Sequence, residues 1–568
     1  MVERPSGAGE AGETGRTWDA EVDVVVVGFG VAGSAAAVQA ADGGASVVAL
    51  DRWGRGGASA RSGGVVYAGG GTPQQRAAGF HDTPEQMEAY LSLEEGGVDG
   101  DLLHRFCARS AEDLAWLVSL GVGIPMRFDP AKSVVPPDDD VGLYYSGNEK
   151  HFAAVTPAVP RGHRVAGVGM TGHDLVATLH DAARARGVEV LDGARLVQLL
   201  RDDEGRVVGV DALVLPRDRA TRLAHGVLYR LADAAGPLLR RVPSPLRQAT
   251  DRFESRRGRR VRIRARRGVV LATGGFSFNR TMLRSQAPRF EAAMPLGTPG
   301  DDGSGILAGE AVGGAVRLLD HCGASRFVAP PLSFARGVLV DAEGERICDE
   351  SLYAATLSAE IAARGGRAWL VVDGALRDAI RQEIRASARV RGRPVAQVLR
   401  GRLNHVLFPR LFGSVNLYLN RHTADSLDDL ADRIGVPPDR LRHTIAHYNE
   451  VAYTGGPDDL GKAPELLAPL ERPPFAAVPC HLDRVLFPAP CITLGGLDVD
   501  SSTQVVRRED GTTIPGLHAV GRCAVGVASR SYVSGLSLAD CVFSGRNAGM
   551  ALSGGELPAT ARRVPQGV

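Results

Sequence analysis

A cluster of glycines near the start of the chain has the spacing of a phosphate-binding turn. The segment Gly28-Phe29-Gly30-Val31-Ala32-Gly33 follows a β-branched run at 22–27 and precedes an alanine-rich stretch that is typical of a helix. Glycines at a strand-to-helix turn let the backbone approach a pyrophosphate at the helix N-terminus. Asp51 ends the next β-branched run, eighteen residues after Gly33, where a carboxylate accepts both hydroxyls of an adenosine ribose. The pattern therefore predicts a dinucleotide site.

The segment after the predicted ribose-binding strand indicates which dinucleotide binds. It reads Gly56-Gly57-Ala58-Ser59-Ala60-Arg61-Ser62-Gly63-Gly64. Small residues and hydroxyls suit a loop that packs against a flat isoalloxazine ring and hydrogen-bonds a diphosphate, so we expect FAD. A second glycine-rich match at 167–172 follows no β-branched run, and we do not expect it to bind NAD.

Two hydroxyl side chains near the end of the chain have the spacing for proton transfer. Tyr532 and Ser534 lie in Arg530-Ser531-Tyr532-Val533-Ser534-Gly535-Leu536-Ser537-Leu538-Ala539-Asp540 and would point to one side of an extended segment. A phenol hydrogen-bonded to a serine can take the acidic α proton of a ketone, provided that its surroundings lower its pKa from ~10. Backbone N–H groups near Gly535 would polarise the carbonyl. The alternative is structural: Tyr532 packs, and Ser534 is a turn hydroxyl.

These motifs together resemble the flavoprotein family of fumarate reductases, succinate dehydrogenase flavoprotein subunits and 3-ketosteroid dehydrogenases. The resemblance also rests on Ala272-Thr273-Gly274-Gly275, Thr298-Pro299-Gly300-Asp301-Asp302-Gly303 and Gly516-Leu517-His518-Ala519-Val520-Gly521-Arg522. Around Tyr532 the chain is most similar to 3-ketosteroid Δ4-(5α)-dehydrogenases, in which a Tyr and a Ser at this spacing work with a second Tyr from the other domain. The resemblance implies that Tyr353 is this second tyrosine. An ordinary surface tyrosine is the alternative, and Tyr67, Tyr144, Tyr145 and Tyr418 are weaker candidates.

The same resemblance implies a set of cofactor-binding residues and a mode of attachment. The set is Gly28, Gly30, Ala32, Gly33, Asp51, Arg52, Ala58, Ser59, Ser62, Gly63, Gly64, Val197, Thr273, Gly274, Asp302, Gly521, Arg522, Ser537 and Leu538. Succinate dehydrogenases carry a histidine that binds the flavin covalently, and Gly57 falls near that position. We therefore expect FAD to be held noncovalently, with no metal and no haem.

The implied activity is dehydrogenation of a 3-ketosteroid, or a similar polycyclic ketone, at the 4,5 position. Hydride would go to flavin N5 and the α proton to the Tyr/Ser pair, with Tyr353 closing the site. One alternative is an enoate reductase of the fumarate reductase type, which would clamp two carboxylates with arginines and histidines. Another is a flavin-bound protein without turnover. The expected partner is a small hydrophobic ketone, and the electron acceptor is left open.

We expect an α/β fold with two domains. A Rossmann-type FAD-binding domain would be discontinuous, at 21–320 and 476–555, with an inserted α+β catalytic or cap domain at 321–475 and a disordered N-terminus at 1–20. Residues 217–267 are crowded with arginines and look like an insertion in the first domain. This insertion is either a solvated helical excursion or an amphipathic element that makes weak contact with anionic lipid.

The amino-acid composition limits the kinds of partner that the protein binds and the cellular compartment in which it is expected. The 66 basic and 65 acidic residues nearly cancel, so we expect no nucleic-acid partner. The seven cysteines are scattered without the close pairs of a zinc or haem site, which is typical of reduced thiols in a cytoplasmic protein. No apolar run reaches the ~20 residues that span a bilayer. We expect at most attachment to a membrane surface.

Overall fold

The computed structural model describes residues 17–95, 99–132, 139–238, 243–326, 328–329, 331–386, 413–484 and 489–553. Its strands are β1 (Ala20–Val27), β2 (Val47–Asp51), β3 (Val65–Tyr67), β4 (Arg127–Lys132), β5 (Val141–Tyr145), β6 (Gly162–Arg164), β7 (Glu189–Asp192), β8 (Ala194–Arg201), β9 (Val207–Val214), β10 (Arg259–Leu271), β11 (Met294–Pro295), β12 (Val316–Arg317), β13 (Cys322–Ala324), β14 (Val338–Val340), β15 (Trp369–Val372), β16 (His422–Ala424), β17 (Phe475–Pro479), β18 (Pro490–Thr493), β19 (Gly496–Leu497), β20 (Val505–Arg507) and β21 (Thr513–Ala519). Its helices are α1 (Val31–Asp42), α2 (Pro73–Ala77), α3 (Pro84–Glu95), α4 (Gly100–Ser119), α5 (Gly172–Ala185), α6 (Arg219–Leu238), α7 (Pro243–Arg257), α8 (Arg280–Gln286), α9 (Ser304–Ala311), α10 (Ala354–Ala363), α11 (Gly374–Ala386), α12 (Leu427–Ile434), α13 (Pro438–Thr454) and α14 (Leu536–Ser553).

The largest sheet has the strand order β20-β21-β10-β1-β2-β7, and β8 and β9 join it beside β10. β1 pairs in parallel with both β2 and β10. The valines at 24–27 in β1 are almost completely buried, as expected for a strand covered on both faces. α1 follows β1 directly, and α14 packs on α1 so closely that a Cβ on Gly545 would lie 2.4 Å from the carbonyl oxygen of Ala32. This is the expected α/β arrangement, and β21 near the end of the described residues pairs in parallel with β10.

The predicted boundary of the arginine-rich insertion was wrong at its C-terminal end. Residues 259–267 are the first part of β10, which pairs with β9 on one side and with β1 on the other. Ile263 and Ala265 are each 1 % exposed, and arginines alternate with them on the other face. Buried and exposed residues therefore alternate here, as in a half-buried strand. The many arginines made this alternation difficult to recognise in the sequence.

The rest of the predicted insertion is the helix pair α6 and α7, and it is not simply solvated. Its inner face buries His225, Tyr229 and Glu254 against the first domain. The ring of His225 stacks on Trp53, with 4.6 Å between ring centroids and 11° between the planes. The outer face is exposed. The expectation of a solvated excursion is therefore wrong for one of the two faces.

The second domain is built on a sheet with the order β14-β15-β17-β16, with α10 to α13 in the same part of the chain. β17 begins at Phe475, and the N–H of Leu482 still donates to Gly366. The cap therefore extends past the boundary at 475 that the sequence suggested, because Pro473 and Pro474 precede a strand of the cap and do not end it. β13 and β18 lie on either side of the cap along the chain, and they pair with each other.

Two further expectations concern the start of the chain and the membrane. Most of the predicted disordered N-terminus, at 1–16, lies outside the described residues. The chain from residue 17 is ordered, since the N–H of Asp19 donates to Arg262 at 2.9 Å. Within the described ranges, no helix combines the length and the apolar character that are needed to cross a bilayer.

Candidate active site

A cleft opens at the carboxyl ends of β1, β2 and β10, with about 860 Å³ of unfilled space up to its mouth. Many of the predicted cofactor-binding residues line this cleft. They are Gly28, Gly30, Ala32, Asp51, Arg52, Ala58, Ser59, Thr273, Gly274, Asp302 and Arg522. The ends of parallel strands are where open α/β sheets bind nucleotides.

The glycine turn between β1 and α1 is a cradle that any side chain would fill. Gly28 has φ +97°, and a Cβ there would lie 2.4 Å from the carbonyl oxygen of Ala272. A Cβ on Gly33 would lie 2.0 Å from the carbonyl oxygen of Gly28, so Gly33 permits the close packing of helix on strand. Gly30 is the N-cap of α1, and its Cβ would meet the hydroxyl of Ser59 at 3.2 Å. The backbone can therefore approach a pyrophosphate here.

Asp51 ends β2 at the floor of the cleft and is 8 % exposed. Burial raises the pKa of its carboxyl group, while the N–H groups of Trp53 and Gly54 act in the opposite direction. A buried carboxylate needs further donors, and two ribose hydroxyls would supply them.

Arg52 and Asp302 line the cleft but are bound to each other. The guanidinium of Arg52 lies 3.1 Å from Asp302, 2.9 Å from Glu254 and 2.7 Å from Asp251. Two of these three acids belong to α7. The helix pair therefore closes one end of the cleft through Arg52 and through the stacked rings of Trp53 and His225.

The other predicted cofactor residues lie outside the lining of the cleft. They are Gly33, Ser62, Gly63, Gly64, Val197, Gly521, Ser537 and Leu538. The hydroxyl of Ser62 donates to the carbonyl of Ser59 at 2.7 Å, and so it shapes the lining loop. Val197 is 39 % exposed, and its neighbours Ala194–Leu196 line the cleft instead. The N–H of Gly521 donates to Ser544 at 2.9 Å.

Three tyrosines and Ser534 meet where the cap faces the first domain, and we call them the hydroxyl cluster. Tyr353 is the N-cap of α10, Tyr144 lies in β5, and Tyr532 and Ser534 precede α14. The ring centroids of Tyr353 and Tyr532 are 6.1 Å apart. The hydroxyl of Ser534 is within hydrogen-bonding reach of the phenols of Tyr353 and Tyr144.

The electrostatic surroundings of these phenols differ from the sequence expectation. Burial raises the pKa of all three, and it raises that of Tyr353 well above 10. For Tyr532 the N–H of Gly535 and the guanidinium of Arg522 oppose the rise. The net effect of the protein on the pKa of Tyr532 is therefore opposite to the lowering that proton transfer requires. Arginines also act on two of the three phenols: Arg522 opposes the rise for Tyr532, and Arg164 opposes it for Tyr144.

The predicted partner of Ser534 also differs. We expected its hydroxyl to pair with Tyr532, but the phenol of Tyr532 lies at the N–H of Gly535. Ser534 instead acts on the phenols of Tyr353 and Tyr144, and Tyr144 is one of the weaker sequence candidates. Tyr67 donates to the buried Glu149 at 3.0 Å, and Tyr418 is 49 % exposed, so neither belongs to the cluster.

Comparison with known proteins shows which protein family this chain resembles. Residues 23–538 match the family model described as the FAD binding domain. The chain belongs to this FAD-binding family. It is 33 % identical over 512 residues to the 3-oxo-5-alpha-steroid 4-dehydrogenase of Comamonas testosteroni, covering 89 % of this chain and 93 % of the relative. It is 26 % identical to a fumarate reductase (cytochrome) of Shewanella frigidimarina, covering 93 % of this chain and 76 % of the relative.

Two solved structures share the fold of this FAD-binding protein. One is the 3-ketosteroid-delta4-(5alpha)-dehydrogenase of Rhodococcus jostii RHA1 in complex with 4-androstene-3,17-dione. It has a TM-score of 0.75 and 31 % identity, covering 95 % of this chain and 99 % of that chain. The other is the open conformation of a flavocytochrome c3 fumarate reductase, with a TM-score of 0.57 and 22 % identity, covering 94 % of this chain and 79 % of that chain.

The expectation that the chain is an FAD-binding oxidoreductase is confirmed. The cradle at Gly28 and Gly30 and the buried carboxylate of Asp51 fit the cofactor's phosphates and ribose. Sequence reasoning missed Trp53, Asp301 and Cys541, which also line the cleft. Trp53 carried a signal, since it directly follows Asp51 and Arg52. Cys541 carried none.

Proposed function

We propose that this protein dehydrogenates a saturated 3-ketosteroid, or a similar polycyclic ketone, between C4 and C5. The observation that carries the proposal is the hydroxyl cluster, which sets Tyr353 of the cap 6.1 Å from Tyr532 of the first domain, measured between ring centroids. Dehydrogenation of a ketone needs a group that takes the α proton and a donor that polarises the carbonyl. It needs no positive clamp for carboxylates.

The roles of the two tyrosines follow from their surroundings. Tyr532 takes the α proton, because the N–H of Gly535 and the guanidinium of Arg522 stabilise its phenolate, whereas Tyr532 and Tyr144 oppose ionisation of Tyr353. Tyr353 stays protonated and donates to the ketone oxygen, because burial holds its pKa well above 10. Ser534 orients the phenols of Tyr353 and Tyr144. FAD, when bound, accepts the hydride that leaves the β carbon.

The enoate reductase alternative needs arginines and histidines that can bind two carboxylates. Three residues that could form such a clamp already have partners. His163 lies 2.8 Å from Thr72, and burial lowers its pKa to about 4. Arg346 pairs with Glu350 and Asp458 inside the cap, and Arg522 pairs with Asp301 at 2.6 Å. These contacts favour the ketone substrate.

Anaerobic mixing separates the two candidates. A saturated 3-ketosteroid should bleach the oxidised flavin of the purified protein, because the substrate donates the hydride. Fumarate should leave the photoreduced flavin unchanged. Reoxidation by fumarate, with no bleaching by any saturated ketone, would favour the reductase. Ligand-induced spectral shifts without electron transfer in either direction would favour a binding protein.

We also propose that FAD is held noncovalently. Gly57 lines the cleft near the position where succinate dehydrogenases carry a histidine that binds the flavin covalently. Among the described residues, no histidine lines the cleft. Precipitation of the holoprotein with acid should release all of the flavin into the supernatant. Colour that stays in the pellet would overturn this proposal.

The free cysteines are typical of a cytoplasmic protein. The outer face of α6 supports a weak contact of this protein with a membrane surface. Leu223, Val227 and Leu231 follow one another at four-residue spacing and are 68 %, 43 % and 50 % exposed. Arg219 and Arg230 are exposed beside them. An exposed apolar stripe with flanking arginines is typical of helices that lie on anionic lipid. A hydrophobic ketone would be drawn from the same surface.

A further inference from the structure

One short segment of the first domain contacts both sides of the hydroxyl cluster. The hydroxyl of Ser146 donates to the carbonyl of Ser534 at 2.9 Å. Two residues later, the side-chain oxygen of Asn148 accepts the backbone N–H of Tyr353 at 2.6 Å. Ser534 and Tyr353 come from different domains, so this segment spans the gap between them.

Asn148 is held firmly enough to act as a fixed point. Its side chain is completely buried. Its side-chain nitrogen donates to Glu94 at 3.0 Å and to the hydroxyl of Thr356 at 2.9 Å. Its backbone N–H donates to the phenol of Tyr90 at 2.8 Å. The side-chain amide of Asn148 therefore holds the start of α10 through hydrogen bonds to Tyr353 and Thr356.

His151 makes a second contact with the cap, close to the first. Its Nδ1 lies 2.9 Å from Asp349, a carboxylate that is 1 % exposed. Asp349 also accepts the N–H and the hydroxyl of Ser351, and these bonds hold the loop that leads to Tyr353. The ring of His151 also rests on the cap at Gly461, where an added Cβ would lie 2.9 Å from the ring.

We propose that Asn148 and His151 form an interdomain latch that sets the position of Tyr353 relative to Ser534 and Tyr532. Both are positioning residues, since neither belongs to the hydroxyl cluster. The inference rests on the proposed function, and it identifies how the site is assembled from two domains. Tyr353 has no side-chain cap of its own at the start of α10, so its place depends on what holds its backbone. A displacement of ~1 Å at a reacting group costs ~100-fold in rate.

The main test is His151→Ala, because His151 lies at the surface of the contact. We expect the limiting rate of anaerobic flavin reduction by 5α-androstane-3,17-dione to fall at least ~10-fold, as expected for partial misplacement. Flavin content should be unchanged. His151→Gln keeps an N–H donor and should recover most of the rate. The matched control is His447→Ala, which removes the exposed His447–Asp459 pair of the cap and should leave the rate as in the parent.

A second measurement does not depend on turnover. Amide hydrogen exchange of the holoprotein should become faster in residues 349–357 of the His151→Ala variant, and not in His447→Ala. Asn148→Ala should show the larger effect, with Asn420→Ala, another buried asparagine, as its control. If Asn148→Ala does not retain flavin, the two His151 variants decide the question.

The outcomes separate the latch from the proposed function. If no saturated ketone bleaches the parent flavin, the proposed function fails, and the exchange data alone test the contact. If the parent is bleached and His151→Ala is reduced as fast as the parent, the latch is overturned. The latch is also overturned if hydrogen exchange at 349–357 is unchanged in His151→Ala, or if flavin reduction in His447→Ala slows as much as in His151→Ala.

Discussion

Tyr353 in the cap and Tyr532 in the FAD-binding domain lie with their rings 6.1 Å apart and their planes at 59°. Neither domain alone contains both phenols. The substrate ketone would therefore meet one hydroxyl from each side, and each phenol can be removed without disturbing the glycine turn that holds the cofactor.

Replacement of the proposed base tests the core of the mechanism. Tyr532→Phe removes one oxygen and keeps the ring, so flavin content should stay as in the parent. The rate of anaerobic bleaching should fall ~100-fold to ~10,000-fold, as is usual for loss of a general base. Ser534→Ala should have a milder effect, since Ser534 acts on the phenols of Tyr353 and Tyr144 and not on the proposed base. Unchanged bleaching by Tyr532→Phe would make the pair structural.

The third phenol of the cluster gives a prediction that the sequence did not. Tyr144→Phe removes the hydroxyl that acts on Ser534, and bleaching should slow by up to ~5-fold, because one hydrogen bond contributes about 1 kcal/mol. Tyr145→Phe is the control next to it, since the phenol of Tyr145 donates to the carbonyl of Ala158 at 3.3 Å. Equal rates in the two variants would remove Tyr144 from the site.

The floor of the cleft can be tested through cofactor affinity. Asp51→Ala should weaken FAD binding by ~1–3 kcal/mol, because the ribose hydroxyls lose a charged acceptor. The measurement is a titration of deflavinated protein with FAD, followed by flavin fluorescence. Asp42→Ala, at the exposed end of α1, is the control and should bind FAD like the parent. Parent-like affinity of Asp51→Ala would place the ribose elsewhere.

Asp540 in α14 gives a prediction for stability against pH. Burial raises the pKa of this carboxyl group from 3.8 to about 6, while the N–H of Val527 opposes the rise. The folded protein therefore binds the proton more tightly than the unfolded chain. This favours folding most below pH 3.8, and the contribution is lost as the pH rises through 6.

Asp540→Asn keeps an acceptor for Val527 and removes the buried charge. The melting temperature of the variant should exceed that of the parent at pH 8, and the difference should shrink at pH 5. Differential scanning calorimetry of the holoproteins at both values measures this. A difference that does not change with pH would mean that Asp540 does not titrate in this range.

The exposed stripe on α6 predicts flotation with vesicles. The protein should float with anionic vesicles at low salt and separate from them at 1 M salt, where the Debye length falls to ~3 Å. Replacing Leu223, Val227 and Leu231 with serine should abolish flotation, while activity on a water-dispersed ketone stays as in the parent. Absence of flotation in the parent would leave the stripe simply solvated.

Local patterns predicted the parts of the site that depend on local geometry. The turn at 28–33 and the carboxylate of Asp51 follow from strand-turn-helix spacing, and the structure has them as expected. The resemblance singled out Tyr353, Tyr532 and Ser534, which do meet. The contacts of Tyr144 and Trp53 could not be predicted from the sequence, because their partners, Ser534 and His225, come from segments far away in the chain.

Two predicted boundaries failed for physical reasons. The arginines at 259–267 suggest an insertion, but they belong to a strand, and a strand with one solvent-facing side tolerates charge at every second position. Pro473 and Pro474 lie just before the predicted boundary at 475, but they precede β17, and prolines are common at the start of a strand.

The register of β9 and β10 has a consequence for how this chain can vary. Val214 and Arg259 are direct partners across the two strands, so the chain leaves the sheet and returns to it at neighbouring positions. The residues between them, which include the helix pair, are therefore attached at the tip of a hairpin. The entropy cost of closing such a loop changes only slowly with its length. The helix pair is thus an exchangeable module. Its length and surface can diverge between relatives without altering the sheet, while Glu254 and His225 keep it in contact with the cofactor end of the cleft.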